Sequence, residues 1–284
     1  MKTLLKLMLI VFCTTRFCSS LCAQVAGRHD IVIGELMADP SPPVSLPNNE
    51  WIELRNMSAT AFNLLGWRIG DASGQSGPMP SFTLLPDSIV IVCTGSAVAT
   101  MSAFGPAISV TGFPSLDNTG DQIYLRSPQN RIIHAVNYTD SWYGNALKKE
   151  GGWSLEMIDP KNPCSGITNW SASNNVKGGS PGKKNSVDAV NADITAPQLL
   201  RAFTTDSVHI ILVFDEPLDS VNAAVAANYT ISDGIGSPQM AMPSSPVFEK
   251  VSVRLNSPLN QGTVYTITVS AVTDCAGNPV ETKN

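Results

Sequence analysis

"NNEWIELRN", residues 48–56, is the stretch on which the fold prediction depends. In an extended strand successive side chains point to opposite faces, so Ile52 and Leu54 share one face while Glu53 and Arg55 share the other. Two carboxylates beside a tryptophan are also typical of sugar-processing sites. A glycosidase pair must face one cleft, and Glu50 and Glu53, three positions apart, take opposite faces of a strand. The stretch therefore predicts a structural strand whose acidic residues face water.

The composition favours a folded chain of short strands. Of 284 residues, 43% are hydrophobic and 14% are charged, which is far from the composition of a disordered chain. Glycine and proline are frequent, and alternating apolar segments such as 250–255 and 264–271 are separated by turn residues. The length fits about two domains.

The first 23 residues are predicted to be a secretory signal. Lys2 and Lys6 make the start of the chain positive, LLKLMLIVF at 4–12 forms a mainly apolar run, and small residues precede Gln24. The run is too short to span a membrane, and no later stretch is apolar enough to do so. Lipid attachment at Cys22 is a weaker alternative, since Leu21 stands where a small residue is usual. We therefore expect an exported protein, secreted or held at the surface of a bacterium.

Without the signal, the chain has 15 lysines and arginines against 23 aspartates and glutamates. A net charge of about −8 argues against a nucleic acid held by charge, because phosphate binding needs basic patches. The expected partners are a protein or an extracellular polymer.

The predicted organisation is two β-sandwich domains in tandem. Residues 28–187 form the first, residues 188–196 a linker, and residues 197–284 the second. Segment 175–197 is rich in Asn, Gly, Ser and Lys and lacks an apolar period, which is typical of a boundary.

The first domain resembles the lamin tail domain family in its bacterial exported form. The resemblance covers most of residues 30–185, and its marks are EWIELRN at 50–56, LLGW at 64–67 and GDQIYL at 120–125. It implies an immunoglobulin-like sandwich without catalytic activity. Bacterial members occur in secreted and surface proteins, often beside enzymes such as nucleases.

The second domain resembles the immunoglobulin-like modules of bacterial surface-layer and secreted proteins. Its marks are VFDEPLD at 213–219, NYTI at 228–231 and VSAVTDCAGNPV at 269–280. One more strand usually follows the last of these, so this domain is expected to lack its final strand.

Three cysteines lie beyond the signal, and their odd number leaves at least one without a partner in the chain. Bacterial lamin tail domains often carry one cysteine in the buried strand and one in an NPC…NW segment, where Cys93 and Cys164 stand. The resemblance thus implies a Cys93–Cys164 bridge, with Cys275 as a free thiol. Buried unpaired thiols are the alternative.

Catalytic motifs are not found. The three histidines, His29, His134 and His209, are not spaced as metal ligands. The chain contains no nucleophile elbow, Walker loop or HExxH motif. We expect no enzymatic activity, no catalytic residue and no cofactor. Calcium is a secondary candidate at the loop residues Asp39, Asp71, Asp117 and Asp121, which form no dense array.

The aromatic residues Trp142, Tyr143 and Trp170 suggest a binding surface if they form an exposed row. The sequence therefore supports two functions. The first is a non-catalytic adhesion or scaffold element of the cell surface. The alternative is an accessory module that binds carbohydrate or nucleic acid for an exported enzyme.

Overall fold

A computed structural model describes residues 25–281, and the predicted signal peptide lies outside them. The described chain is almost entirely β-structure, with one short α-helix. The predicted all-β fold with two sandwich-like domains in tandem is confirmed.

The first domain has a six-stranded sheet in the order β11-β10-β1-β2-β6-β7, in which only the β6–β7 pair is parallel. Facing it are a three-stranded sheet, β4-β8-β9, and the pair β3-β5. The strands are β1 (Ile31–Met37), β2 (Trp51–Asn56), β3 (Phe62–Asn63), β4 (Arg68–Gly70), β5 (Thr83–Leu84), β6 (Ile89–Cys93), β7 (Ala107–Ser109), β8 (Gly120–Arg126), β9 (Ile132–Thr139), β10 (Leu155–Met157) and β11 (Trp170–Ala172). The helix α1 spans Val98–Met101, and 3-10 turns span Asp140–Tyr143, Lys148–Glu150 and Ile167–Asn169.

The second domain pairs two smaller sheets, β12-β13-β16-β15 and β14-β17. Its core comes from alternate residues of the central strands, as the period-two pattern predicts. The strands are β12 (Leu199–Thr204), β13 (His209–Phe214), β14 (Tyr229–Ile231), β15 (Met240–Pro243), β16 (Lys250–Arg254) and β17 (Ile267–Val269), with 3-10 turns at Asn222–Ala224 and Ala226–Asn228.

The six-stranded sheet is covered on both faces. Ile52 and Leu54 of β2 point into the sandwich core, as predicted. Trp51 and Glu53 point to the other face, yet both are buried. Segment 178–187 and helix α1 form a third layer over that face. Gly182, at φ +72°, lies so close to Gly105 that a Cβ would be 2.7 Å from the Gly105 Cα, so this layer packs directly on the domain.

A β-bulge in β1 decides which of its residues reach the outer face. The register with β2 shifts between Ile33 and Glu35. Ile33 and Leu36 therefore both contribute to the sandwich core, while Glu35 lies across from Glu53 under segment 178–187.

Candidate functional site

Three glutamates, Glu35, Glu53 and Glu156, meet on the outer face of the six-stranded sheet, and we call them the sheet carboxyl cluster. Each is at most 1% exposed. The prediction that Glu53 faces water is wrong. The physical reason is that segment 178–187 crosses the sheet above this face and removes it from solvent.

The sheet carboxyl cluster accepts hydrogen bonds mainly from the covering segment. Glu35 accepts from the Ser180 backbone N–H at 2.8 Å and from the Ser154 hydroxyl at 2.6 Å. Glu53 accepts from the Gly182 N–H at 2.7 Å. Glu156 accepts from the hydroxyls of Ser180 and Ser186 at 2.8 and 2.7 Å. The carboxyl groups therefore hold the third layer on the sheet.

Burial controls the ionisation of this cluster. It raises the pKa of Glu35 to about 8, and the neighbouring Glu156 adds to the rise. Burial, followed by proximity to Glu35, also raises the pKa of Glu53. Protons on Glu35 and Glu53 spare the fold from like charges in an enclosed space. Glu53 of the opening stretch thus serves the packing of the domain.

The disulfide joins Cys164 to Cys275, 111 residues apart, and so connects the two domains. The predicted Cys93–Cys164 bridge is wrong. Cys93 ends β6, whereas Cys164 follows β10, and β1 and β2 lie between those strands. Three strand spacings are about 14 Å, while bridged Cα atoms are usually less than about 7 Å apart.

Cys93 is a free, buried thiol, not a partner of Cys164. It packs with Met37, Trp51 and Met101 beneath helix α1, and burial raises its pKa to about 11. Cys275, predicted to be free, lies in the bridge.

Two histidines that are distant in sequence meet beside the disulfide. The His29 Nε2 lies 3.5 Å from the Cys164 sulfur, and the rings of His29 and His134 are 5.7 Å apart. His134 is buried and its Nδ1 accepts the Ile33 N–H at 3.0 Å. Burial lowers the pKa of both imidazoles, for His134 to about 4. The His29 ring and the sulfurs of Cys164 and Cys275 are close enough to hold one metal ion. The two sulfurs form the disulfide, however, so they are not available as thiolate ligands.

Arg28 adds a second connection between the domains. Its Nη1 donates to the Leu218 carbonyl at 3.0 Å, and its guanidinium carbon lies 4.4 Å from the centre of the Phe248 ring. This cation–π contact and the disulfide fasten the two domains to each other.

Beside this connection is a cavity of about 310 Å³, which we call the junction cleft. The first domain contributes Trp142, Ile167 and Trp170, and the second contributes Pro217 and Val247. Four carboxylates also line it: Asp193, Asp215, Glu216 and Glu249.

The structure places Trp142 and Trp170 at this cleft, but the three predicted aromatic residues do not form an exposed row. Trp142 is partly exposed, and its ring centre lies 5.9 Å from that of Trp170. Trp170 is 3% exposed and Tyr143 is 4% exposed. The Tyr143 hydroxyl donates to the Trp153 carbonyl. Both rings belong to the sandwich core, Trp170 from the edge strand β11 and Tyr143 from the 3-10 turn Asp140–Tyr143.

Asp193, Glu216 and Asp274 form a second acidic group, the junction carboxyl cluster, whose oxygens lie within 4.8 Å of one another. None of the four aspartates predicted as calcium ligands belongs to such a group within residues 25–281. Partial burial raises the pKa of Glu216 to about 8, and Asp193, Asp274 and Asp215 contribute to the rise. Sequence reasoning missed this cluster because Asp193 lies in the predicted linker and Asp274 in a distant turn.

Asp193 and Asp274 already accept hydrogen bonds from the protein. Asp193 accepts from the Ser165 hydroxyl at 2.6 Å, and Asp274 accepts from the backbone and side-chain nitrogens of Asn278. Glu216 has a different environment, since three carboxylates and no basic side chain influence its pKa.

None of the helices within residues 25–281 has the length and apolar character that crossing a bilayer requires.

Comparison with known protein families finds two that match separate parts of the chain. The model of the Lamin Tail Domain family matches residues 24–140, and that of the Bacterial Ig-like domain family matches residues 182–284. No curated protein matches the chain.

Solved structures of a bacterial S-layer protein, SbsC, match part of the chain. Its N-terminal part is 26% identical over 31% of this chain and 22% of that structure, with a TM-score of 0.29. Two longer SbsC structures, rSbsC(31-844) and domains 1–6, match with the same identity and TM-score over 31% and 32% of this chain. The chain spans 13% of each of these longer structures.

Proposed function

Because the chain carries a lamin tail domain followed by a bacterial Ig-like domain, we propose that it is a non-catalytic scaffold or adhesion element of the bacterial cell surface. In this role it holds a partner protein or an extracellular polymer outside the cytoplasm. Both domains are built from β-sheets, and the descriptions of the two matching families name no reaction.

The observation that carries this proposal is the bridge between the two domains. A disulfide forms and persists in oxidising compartments outside the cytoplasm, and Cys164–Cys275 closes a loop that contains the domain boundary. Arg28 adds a polar contact across the same junction. Two domains held in a fixed arrangement can act as a rigid spacer, which is suited to presenting a binding surface away from the cell.

The carbohydrate-binding alternative has less support. A sugar platform requires exposed aromatic faces, and two of the three predicted residues, Tyr143 and Trp170, are buried. The acidic residues around the junction cleft likewise disfavour a nucleic acid.

Localisation and thiol state together test the proposal. Intact cells of the source bacterium should be treated with a membrane-impermeant amine label, and the protein should then be digested without reduction for mass spectrometry. We expect a labelled protein that contains the Cys164–Cys275 peptide and a free Cys93 thiol. An unlabelled cytoplasmic protein with all three thiols reduced contradicts the proposal.

A second measurement addresses catalysis. The purified protein should show no turnover of glycoside, ester or phosphodiester substrates. Turnover that a single carboxylate substitution abolishes would replace the scaffold with an enzyme. Glu150→Gln, which changes an exposed carboxylate that belongs to neither cluster, is the matched control.

A further inference from the structure

We infer that the junction cleft is a docking site for an extended segment of a partner protein that carries lysine or arginine beside an apolar residue. The inference rests on the proposed function in one respect, since it names the chemistry of the partner that the scaffold holds. Clefts between domains are common ligand sites, and this one is lined by residues of both domains.

The first argument is charge complementarity. Asp193, Asp215, Glu216 and Glu249 line the cleft, and no lysine, arginine or histidine does so among the described residues. None of the ion pairs found in residues 25–281 involves these four carboxylates. Lys250 lowers the pKa of Glu249, but burial outweighs this effect and leaves that pKa raised. A segment with cationic side chains would supply the missing countercharge.

The second argument comes from the apolar walls. The Ile167 side chain is 56% exposed at the rim, while Pro217 and Val247 line the opposite domain's wall. The partly exposed Trp142 offers an indole ring, which attracts ammonium and guanidinium groups. Lysine and arginine combine an aliphatic stem with a charged head, so one such side chain matches both features.

The size and composition of the cleft favour a peptide over a free amine. Its volume of about 310 Å³ accommodates one long side chain with its neighbouring backbone. An apolar rim residue such as Ile167 would remain exposed beside a small polyamine, whereas an adjacent leucine in a peptide would cover it.

Isothermal titration calorimetry with defined probes tests this inference on the mature chain, residues 24–284. The probes are the acetylated and amidated peptide Ala-Lys-Leu-Lys-Ala, its counterpart with glutamate in place of lysine, and spermidine. We expect binding of the lysine peptide, at least about tenfold weaker binding of spermidine, and none of the glutamate peptide.

Variants locate the interaction. At pH 9, where the Glu216 carboxyl group is ionised, Glu216→Gln should weaken lysine-peptide binding about tenfold, because it removes a partly buried charge partner. Trp142→Ala should weaken it about fivefold. Glu150→Gln removes an equal charge from an exposed position outside the cleft and should change the affinity less than twofold. In the wild type, the NMR resonance of the Trp142 indole N–H should shift during the titration. This signal reports binding at the cleft without any substitution.

Several outcomes would overturn the inference. Equal weakening by Glu216→Gln and Glu150→Gln would show a general charge effect. Spermidine binding as tightly as the peptide would assign the cleft to a free amine. Calcium at about 1 mM saturating the cleft and displacing the peptide would identify a metal site. These results leave surface localisation untouched, so this inference and the proposed function can fail separately.

Discussion

The two carboxyl clusters contain three acidic residues each, yet their surroundings differ in one decisive respect. Glu35, Glu53 and Glu156 are at most 1% exposed and accept hydrogen bonds from serines and backbone N–H groups of the layer above them. Glu216 of the junction cluster is only partly buried and faces a cleft lined by further carboxylates. The first cluster finds its hydrogen-bond donors within the protein, whereas Glu216 of the second has no basic partner among the described residues.

This difference separates structural acids from acids available to a ligand. A buried carboxyl group must be neutral or hydrogen-bonded, because desolvation of its charge is costly. When neighbouring N–H and hydroxyl groups meet that need, the group cannot easily bind anything else. An acidic group that has lost water without gaining a basic partner is better placed to bind a cation.

Breaking the interdomain disulfide should give the largest effect. The double variant Cys164→Ser/Cys275→Ser should lose about 4–5 kcal/mol of unfolding free energy, because the bridge closes a loop of roughly a hundred residues. Loss of the bridge should also let Asp274, the neighbour of Cys275, move away from the other two residues of the junction carboxyl cluster. Urea denaturation measures the loss, and hydrogen exchange should show unchanged protection of segment 178–187.

Reduction of the wild-type protein is the matched control for this prediction. It should reproduce the loss without any substitution. A loss below about 1 kcal/mol in both experiments would contradict the role given to the bridge.

Alkaline pH should reduce the contribution of the sheet carboxyl cluster to the stability of the folded protein. Glu35 has a folded-state pKa of about 8 against an ordinary value of 4.5, so the folded protein binds this proton more tightly than the unfolded chain does. Its contribution is therefore complete below about pH 4.5 and is lost as the pH rises to about 8. The slope is at most about 1.4 kcal/mol per pH unit for one proton.

Urea denaturation between pH 4 and pH 9 checks this dependence. Glu35→Gln, which mimics the neutral carboxyl group, should flatten the profile in that window. An identical profile in this variant would show that other groups cause the pH dependence.

Removing one carboxyl side chain from each cluster at constant pH should change the stability by different amounts. Glu35→Ala at pH 6 should cost about 3 kcal/mol, because it leaves the Ser180 N–H and the Ser154 hydroxyl without a buried acceptor. The same truncation in the junction cluster, Glu216→Ala, should change stability by less than about 0.5 kcal/mol. Equal losses in the two variants would remove the distinction between structural and available acids.

The alternation in NNEWIELRN was sufficient to predict β2 and its faces, and Ile52 and Leu54 lie in the core as expected. It could not predict the burial of Glu53. A period of two assigns a residue to a face but does not say whether another part of the chain covers that face. The cover is a polar, glycine-rich segment that lacks the apolar period by which packed elements are recognised.

The junction was also beyond prediction from sequence alone. Cysteine pairing depends on three-dimensional proximity, and strand order places β1 and β2 between Cys93 and Cys164. The same limit applies to the junction carboxyl cluster. Asp193, Glu216 and Asp274 are far apart in the sequence, and only the folding of the second domain against the linker brings them together.

The smallest expected change in stability comes from repulsion between Glu216 and the neighbouring carboxylates. Glu216→Gln should raise stability at pH 9 by no more than about 0.5 kcal/mol, because it removes repulsion from Asp193, Asp274 and Asp215 that solvent partly screens. At pH 5 the gain should vanish, since the folded protein already holds Glu216 as a neutral acid. Added salt at about 1 M should also abolish it. Thermal unfolding under these three conditions measures the effect. Lower stability of the variant at pH 9 would mean that a positive group already neutralises Glu216, and the contrast between the two clusters would then fail.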